Sequence, residues 1–184
     1  ALYDGNRKRL ILARDRLGIK PLYYARLPDR LVFASEIKAI LPLLLTTPAI
    51  APEALSEFLH DHCSIGEQTL FRDIKRVAPG EILEVDADLN LSRRRYWSPL
   101  TLVPRQIDYA EAEAEFEVLF ERVMREHVRS DVPFGLFLSG GNDSAILLAM
   151  LSRFQSQPVR TFSIGFQDAI MKDELDDAER MATL

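Results

Sequence analysis

The chain is 184 residues long, 47% hydrophobic and carries a formal net charge of −5, enough apolar content for a core and a length that allows one or two domains. The acidic balance argues against nucleic acid as a partner, since that role needs a basic field to displace counterions from phosphate. The longest apolar run, Ile40 to Leu45, is broken by Pro42 and falls short of the ~20 residues of a membrane helix, while the single cysteine, Cys63, closes no internal disulfide; a reducing cytosol is the default compartment.

The chain opens on "ALYDGNRKRLILARD", which reads as strand, turn and strand, with Gly5 and Asn6 supplying a hairpin-type turn. "RLILARD" and "RLVFASE" are β-rich segments, and Gly18, Pro21 and Pro28 punctuate the stretch between them as turns do. A helix is expected from Pro52 to His62. Pro52 suits its first turn, Glu53 and Glu57 lie toward the positive end of its dipole, and Leu55, Phe58 and Leu59 share a face. Gly66 ends or follows it. "EILEVDADLNLSRRRYW" reads as two strands joined by a turn near Asp86 to Asn90. The basic triplets Arg7-Lys8-Arg9 and Arg93-Arg94-Arg95 read as solvated strand or turn positions.

Composition shifts at "WSPLTLVPRQ", where two prolines frame a connector. The clearest helix follows, Asp108 to Arg129, with Phe116, Leu119, Phe120, Val123, Met124 and Val128 at helical spacing and its charges arranged along the macrodipole. Its phenylalanines are expected in a core. Thereafter "FGLFL", "SGGND", "SAILLAMLSRF" and "PVRTFSIGF" give strand, loop, helix and strand. Unalternated strands of this kind are expected to be buried on both faces, and their alternation with a helix implies a parallel sheet with the loop at the carboxyl end of its strand, where open α/β sheets bind ligands. The start reads as an all-β or α+β part and the end as the beginning of an α/β domain. Both termini read as cut from a longer protein.

The loop carries the chemistry. Gly140 and Gly141 permit close backbone approach, and the following helix can aim N–H groups and its dipole at an anion. Ser139 and Ser144 can add hydroxyl donors, and Asp143 is placed to hold a metal or a loop N–H. A Walker loop needs Lys before the Ser or Thr, where Asp143 stands, and no G-x-G-x-x-G fingerprint occurs. The alternative is a tight strand-to-helix turn capped by Ser139, Asn142 or Asp143. Elsewhere, His60 and His62 in "HDHC" point apart on a helix, and Arg14 and Asp15 are expected to make an ion pair or turn contact beside Gly18. Lys20 and Lys38 are assigned to support of the fold or of a domain interface. Cys63, just past a helix, is expected to be a packing or partly exposed thiol.

"SGGNDS" resembles the SGGxDS loop of the ATP pyrophosphatases, or PP-loop enzymes. "ALYDGNRKRLILARDRLGIKPLYY", "LVFASEIKAIL" and "GEQTLFRDIKRVAPGEIL" resemble the second half of the class II glutaminase domain of glutamine-hydrolysing asparagine synthetases. "TFSIGF" and "DELDDAERMATL" resemble the strand and acidic helix that follow the loop in that family.

The resemblance implies the second half of an Ntn-type glutaminase domain over residues 1–98, a linker over 99–107, and the start of a parallel-sheet PP-loop domain over 108–184. It implies ATP, magnesium, aspartate and glutamine as small-molecule ligands, a cytoplasmic enzyme and a possible homodimer. On matching positions it assigns phosphate contacts to Ser139, Gly140, Gly141 and Ser144, a loop-ordering or magnesium-linked role to Asp143, and adenine-side backbone contacts to Leu138 and Ile164. Asn142 departs from the leucine common at its position. The glutaminase nucleophile of the family, an amino-terminal cysteine, is not Cys63, and on this reading the fragment alone is inactive. Other amidotransferases on the same scaffold, β-lactam synthetase-like or from polysaccharide clusters, are alternatives, as is a non-catalytic nucleotide-binding module. A tRNA-modifying PP-loop enzyme is disfavoured by the acidic charge.

Overall fold

A computed structural model describes residues 1–155, 157–165 and 174–183. Phe166, Asp173 and Leu184, which the sequence reading included in the last strand and the acidic helix, lie outside the described residues. The architecture is mixed α/β with several sheets, and the chain divides into two compact units, Ala1–Pro104 and Arg105–Leu184.

The first unit contains two antiparallel sheets. One has the order β1-β2-β6-β7, from β1 (Leu2–Asp4), β2 (Arg9–Ala13), β6 (Glu81–Val85) and β7 (Leu91–Arg95). The other has the order β4-β3-β5, from β3 (Tyr23–Arg26), β4 (Leu31–Ala34) and β5 (Lys75–Arg76). Both hairpins anticipated from turn residues form. In β1–β2, Asp4 Oδ1 accepts from the N–H groups of Asn6 and Arg7. In β6–β7, Asp86 Oδ1 accepts from Asp88 and Asn90, which lets Leu89 adopt a left-handed φ of 60°.

β6 shows the period-two signature of a half-covered strand. Glu81, Leu83 and Val85 face inward, and Leu83 pairs with Leu12 of β2. Leu12, Leu83 and Val85 meet Tyr24 of β3 and Val77 in one cluster between the sheets; full burial of each such aliphatic side chain is worth roughly 1.5–3 kcal/mol.

The strand β3 was not anticipated, because the segment containing it reads as punctuated loop. The reason is that both its faces are covered. Tyr24 enters the first cluster, while the next residue, Ala25, packs with Ile40 and Ile74 beside the short helix α1 (Ile37–Ile40). With its two central residues buried on opposite faces, no polar alternation is written into it.

Helix α2 (Pro52–Asp61) forms as expected, with Pro52 in its first turn and His62 ending it in the left-handed region at φ 58°. Its predicted apolar face does not enter the core of this unit: Leu55, Phe58 and Leu59 are exposed, and the buried residue is Ala54.

The expectation for Arg93 is corrected. It is no freely solvated strand residue, since its guanidinium donates to both oxygens of Glu67 at 2.5 and 2.6 Å and to the Tyr24 hydroxyl. Lys75 approaches Glu67 at 3.1 Å and Glu81 stands 3.7 Å from Arg93. This network joins β7 of one sheet to β3 and β5 of the other. Burial pushes the Tyr24 hydroxyl pKa up to about 12, and its proton stays in place at neutral pH.

In the second unit, α3 (Tyr109–His127) is capped by Asp108, whose side chain accepts from the Glu111 N–H at 2.8 Å. It packs on α4 (Asn142–Phe154) through Met124, Met150 and Leu151, flanked by Phe120, Val128 and Leu147. Arg125 lies 4.3 Å over the Phe154 ring. Only the carboxyl-terminal half of the α3 stripe is covered. Phe116, expected in the core, is exposed and stacks on Phe120 at 5.4 Å.

Strands β8 (Leu136–Phe137) and β9 (Thr161–Phe162) pair in parallel on either side of α4. Burial on both faces is not found: Phe137 and Phe162 are 77% and 56% exposed. Helix α5 (Leu175–Thr183) completes the unit. Among the described residues, no helix is long and apolar enough to cross a membrane.

Candidate functional site

The loop Ser139 to Gly141 lies between the end of β8 and the start of α4. Leu138, buried, extends the parallel pairing: its N–H donates to the Phe162 carbonyl at 2.8 Å and its carbonyl accepts from the Ser163 hydroxyl at 2.7 Å. The chain then turns outward, and α4 begins with Gly141 at its N-cap, φ −88° and ψ 158°, without a side-chain cap. The alternative reading, a turn capped by Ser139, Asn142 or Asp143, is therefore not what starts this helix. Helix-opening N–H groups lack intrahelical acceptors, and those of Asn142 and Asp143 have no acceptor among the described residues; both residues are exposed.

Ser144 braces this arrangement. Its buried hydroxyl donates toward the Ser139 carbonyl at 2.8 Å, with the Gly141 carbonyl at 3.1 Å, and accepts from the Ser139 N–H at 3.2 Å. Ser139 Oγ stands 3.1 Å from Ser144 Oγ and accepts a long bond of 3.4 Å from the Gly141 N–H. A hydroxyl has one proton and two lone pairs, and that of Ser144 is fully used inside the loop, so the phosphate contact expected of this hydroxyl is corrected to an internal brace. What faces outward is the set of first-turn N–H groups at the positive end of a 13-residue helix, an arrangement suited to an anion.

Asp143 lies on the exposed side of that first turn, and its carboxylate has no hydrogen bond or ion pair among the described residues. Ile164 is 76% exposed, beyond β9. The structure thus brings Leu138, Ser139, Gly140, Gly141, Asp143 and Ser144 together at one end of the parallel pair, with Ile164 two residues past the strand that pairs with Leu138. Among the described residues no three His, Cys, Asp or Glu side chains gather where they could share a metal ion.

One contact had no signal in the sequence. The first turn of α5 lies against the loop, so that a Cβ built on Gly140 would stand 2.9 Å from the Cβ atoms of both Glu174 and Asp177. The resemblance had pointed to an acidic helix but not to where it sits.

Outside the loop, Arg14 and Asp15 make turn contacts. The Arg14 guanidinium donates to the carbonyls of Gly18, Val77 and Lys20 at 2.7, 2.9 and 3.0 Å. Asp15 accepts from the N–H groups of Ile19 and Lys20, and these donors, that of Lys20 foremost, hold its carboxyl below the usual carboxylate range. Gly18 is required there, at φ +68° and packed against Pro79 and Arg14. Lys38 pairs with Glu36 at 2.7 Å on the surface, and Cys63 is exposed. An open groove lined by Val118, Glu121, Arg122, Arg125, Glu126 and Arg129 runs along α3 and just past its end and includes no residue of the glycine loop.

Comparison with known proteins matches residues 1–97 to the glutamine amidotransferase domain and residues 115–184 to asparagine synthase. Asparagine synthetase [glutamine-hydrolyzing] 1 of Bacillus subtilis is 32% identical over 166 residues, 90% of this chain and 26% of that protein. Asparagine synthetase [glutamine-hydrolyzing] 2 of the same organism is 33% identical over 199 aligned residues, 99% of this chain and 26% of that protein. Amidase chyE of Penicillium rubens is 33% identical over 202 aligned residues, 98% of this chain and 29% of that protein. The chain spans between a quarter and a third of the length of these relatives. With a glutamine amidotransferase match followed by an asparagine synthase match in one polypeptide, the chain belongs to the glutamine-hydrolysing asparagine synthetase family.

Proposed function

We propose that the chain is part of a glutamine-dependent asparagine synthetase, with the loop at Ser139 to Ser144 as the site that receives the polyphosphate of ATP. The observation that carries this reading is the lysine-free loop whose first-turn N–H groups open outward beside a glycine, Gly141, where an added Cβ would meet nothing nearer than Ser139 Oγ at 3.4 Å. The space is left unfilled by the protein and suits close approach of a phosphate. In this assignment residues 1–98 are the second half of an Ntn-type glutaminase domain, 99–107 a linker, and 108–184 the start of a parallel-sheet ATP pyrophosphatase domain.

The reaction follows from the difficulty of amidating a carboxylate, which is a poor electrophile. The aspartate side-chain carboxylate attacks the α-phosphorus of ATP, the bond to the bridging oxygen breaks and pyrophosphate departs. Ammonia from glutamine then adds to the activated acyl carbon, and AMP leaves. The N–H groups of Asn142 and Asp143, beside Ser139, Gly140 and Gly141, would hold the departing pyrophosphate, Leu138 and Ile164 would lie on the adenine side, and the Ser144 brace would keep the donors aligned.

Asp143 offers one carboxylate, which fits magnesium bound mainly through phosphate oxygens and water. When bound, that ion neutralises charge on the leaving pyrophosphate. A cytoplasmic homodimer completes this reading.

The test is Asp143→Ala in the complete protein. Pyrophosphate release is expected to fall by at least ~100-fold, the scale of losing one transition-state electrostatic contact, with glutamine hydrolysis retained. Unaltered pyrophosphate release would remove the loop from the mechanism. A second reading keeps the scaffold and changes the acceptor; it is favoured by Amidase chyE, whose identity to this chain equals that of a Bacillus subtilis asparagine synthetase. Amide formation with carboxylates other than aspartate separates the two.

A further inference from the structure

Gly140 and Gly141 are neighbours that lack a side chain for different reasons. Neither is at positive φ, so neither is there for backbone freedom. At Gly141 a Cβ would make only ordinary contact, with Ser139 Oγ at 3.4 Å. At Gly140 it would lie 2.9 Å from the Cβ atoms of Glu174 and Asp177, separations that real Cβ atoms essentially never show, and 3.1 Å from the Glu174 carbonyl oxygen, a tight contact. Two of these three obstacles are side-chain stems, of Glu174 immediately before α5 and of Asp177 in its first turn, and the third is backbone, so no flexible tip can swing away.

We propose that α5 is a latch for the glycine loop: its first turn seats in the space left by Gly140 and holds the loop in the arrangement that receives polyphosphate. The proposal rests on the reading of the loop as a polyphosphate site. Its consequence is a coupling between loop occupancy and α5 order. If the loop binds its ligand more tightly with α5 seated, the ligand must stabilise the seated helix by the same factor.

The seating is made through Cβ atoms and backbone and not through charge. The acidic residues of the first turn, Asp176 and Asp177, bring negative potential toward an anion site, and Asp177 directs part of its charge to Arg180 at 2.8 Å. Steric fit is therefore what α5 contributes, and Gly140 acts as a positioning residue.

The experiment is hydrogen exchange on the complete protein, with and without ATP and magnesium, for wild type, Gly140→Ala and Gly141→Ala. In wild type, ATP is expected to slow exchange both at residues 139–144 and in α5. Gly140→Ala is expected to speed α5 exchange at least tenfold without nucleotide, leave α4 amides near Leu147 to Leu151 unchanged, and raise the KM for ATP about tenfold with kcat within a factor of three, because apparent affinity falls with the competent fraction. Gly141→Ala is expected to leave α5 exchange at the wild-type rate without nucleotide and to weaken ATP protection of the loop.

Should Gly140→Ala also expose α4, Asp177→Val, which adds a second γ carbon to the side chain whose Cβ faces Gly140, tests the same seat from the α5 side and decides. Wild-type α5 exchange in both clash variants overturns the latch, as does ATP protection of the wild-type loop without α5. Absence of ATP protection anywhere in wild type overturns the nucleotide reading, and the coupling with it, even where Gly140→Ala loosens α5.

Discussion

Replacing Ser144 by Ala removes one oxygen, and the structure assigns that oxygen a full set of partners. The Ser139 N–H loses its acceptor, and the carbonyls of Ser139 and Gly141 lose a donor. A polar group deprived of its partner costs ~1–3 kcal/mol, and because Ser139 is exposed, with water at hand for part of the deficit, the lower range of about 1–2 kcal/mol applies. That corresponds to a roughly 5- to 30-fold change in an opening equilibrium. The assay is native-state hydrogen exchange across 138–154 without nucleotide, with Ser144→Thr as the control that keeps the hydroxyl. The variant should exchange faster by that factor and the threonine form should stay near wild type. Wild-type exchange in Ser144→Ala would show that the hydroxyl does not brace the free loop, and the reasoning from its hydrogen bonds would fail.

Three further outcomes are expected. Glu67→Gln should cost about 1–2 kcal/mol, since it weakens the charge-assisted bonds to Arg93 and Lys75 at a half-buried position. Burial alone would raise the Glu67 carboxyl, but Arg93 and Lys75 outweigh it and hold it below its ordinary value near 4.5. The contribution is therefore present above that value and lost as pH falls through the lower folded-state value, so the stability gap between wild type and variant, followed by urea denaturation, should narrow in that acidic window; a constant gap would contradict the assignment.

Gly80→Ala should destabilise the first unit by more than about 2 kcal/mol, because Gly80 sits at φ +66° and a Cβ there would collide with the Trp97 carbonyl oxygen. A Tm within 2 °C of wild type would refute this. Cys63→Ser should leave thermal stability and glutamine hydrolysis nearly unchanged, its thiol being exposed; loss of turnover with the fold preserved would give this thiol a role it is denied here.

Local signals carried well into the structure. Gly5 with Asn6 and the Asp86 to Asn90 segment marked two hairpins because turn chemistry is settled within four residues, and Asp108 marked the start of α3 for the same reason. What escaped the sequence depended on distant partners. Tyr23 to Arg26 reads as loop because sheet neighbours on one face and α1 on the other erase its alternation. Arg93 looks solvated until Glu67, 26 positions earlier, is placed beside it. Phe116 and Phe137 have the composition of core and lie on the surface of their unit, since hydrophobicity specifies that a residue can be covered and not what covers it. At the loop, the residue types and their order were legible, whereas the internal use of the Ser144 hydroxyl and the seat of α5 on Gly140 required coordinates.

The register of β2 against β6 also bears on how the protein is made. Leu12 pairs with Leu83, about 70 positions later, so β2 waits for its central partner while that length of chain is synthesised. At ~5–20 residues per second, the interval is roughly 4 to 14 s, during which the β1–β2 hairpin presents Leu10 and Leu12 on a strand edge with nothing yet to pair it. The α3 to α4 packing closes over a shorter stretch and carries less of this burden. Nascent chains stalled between the two halves of the first sheet are thus the ones expected to recruit chaperones or aggregate, and slowing translation across residues 14–80 should lower the yield of soluble protein more than slowing it across α4.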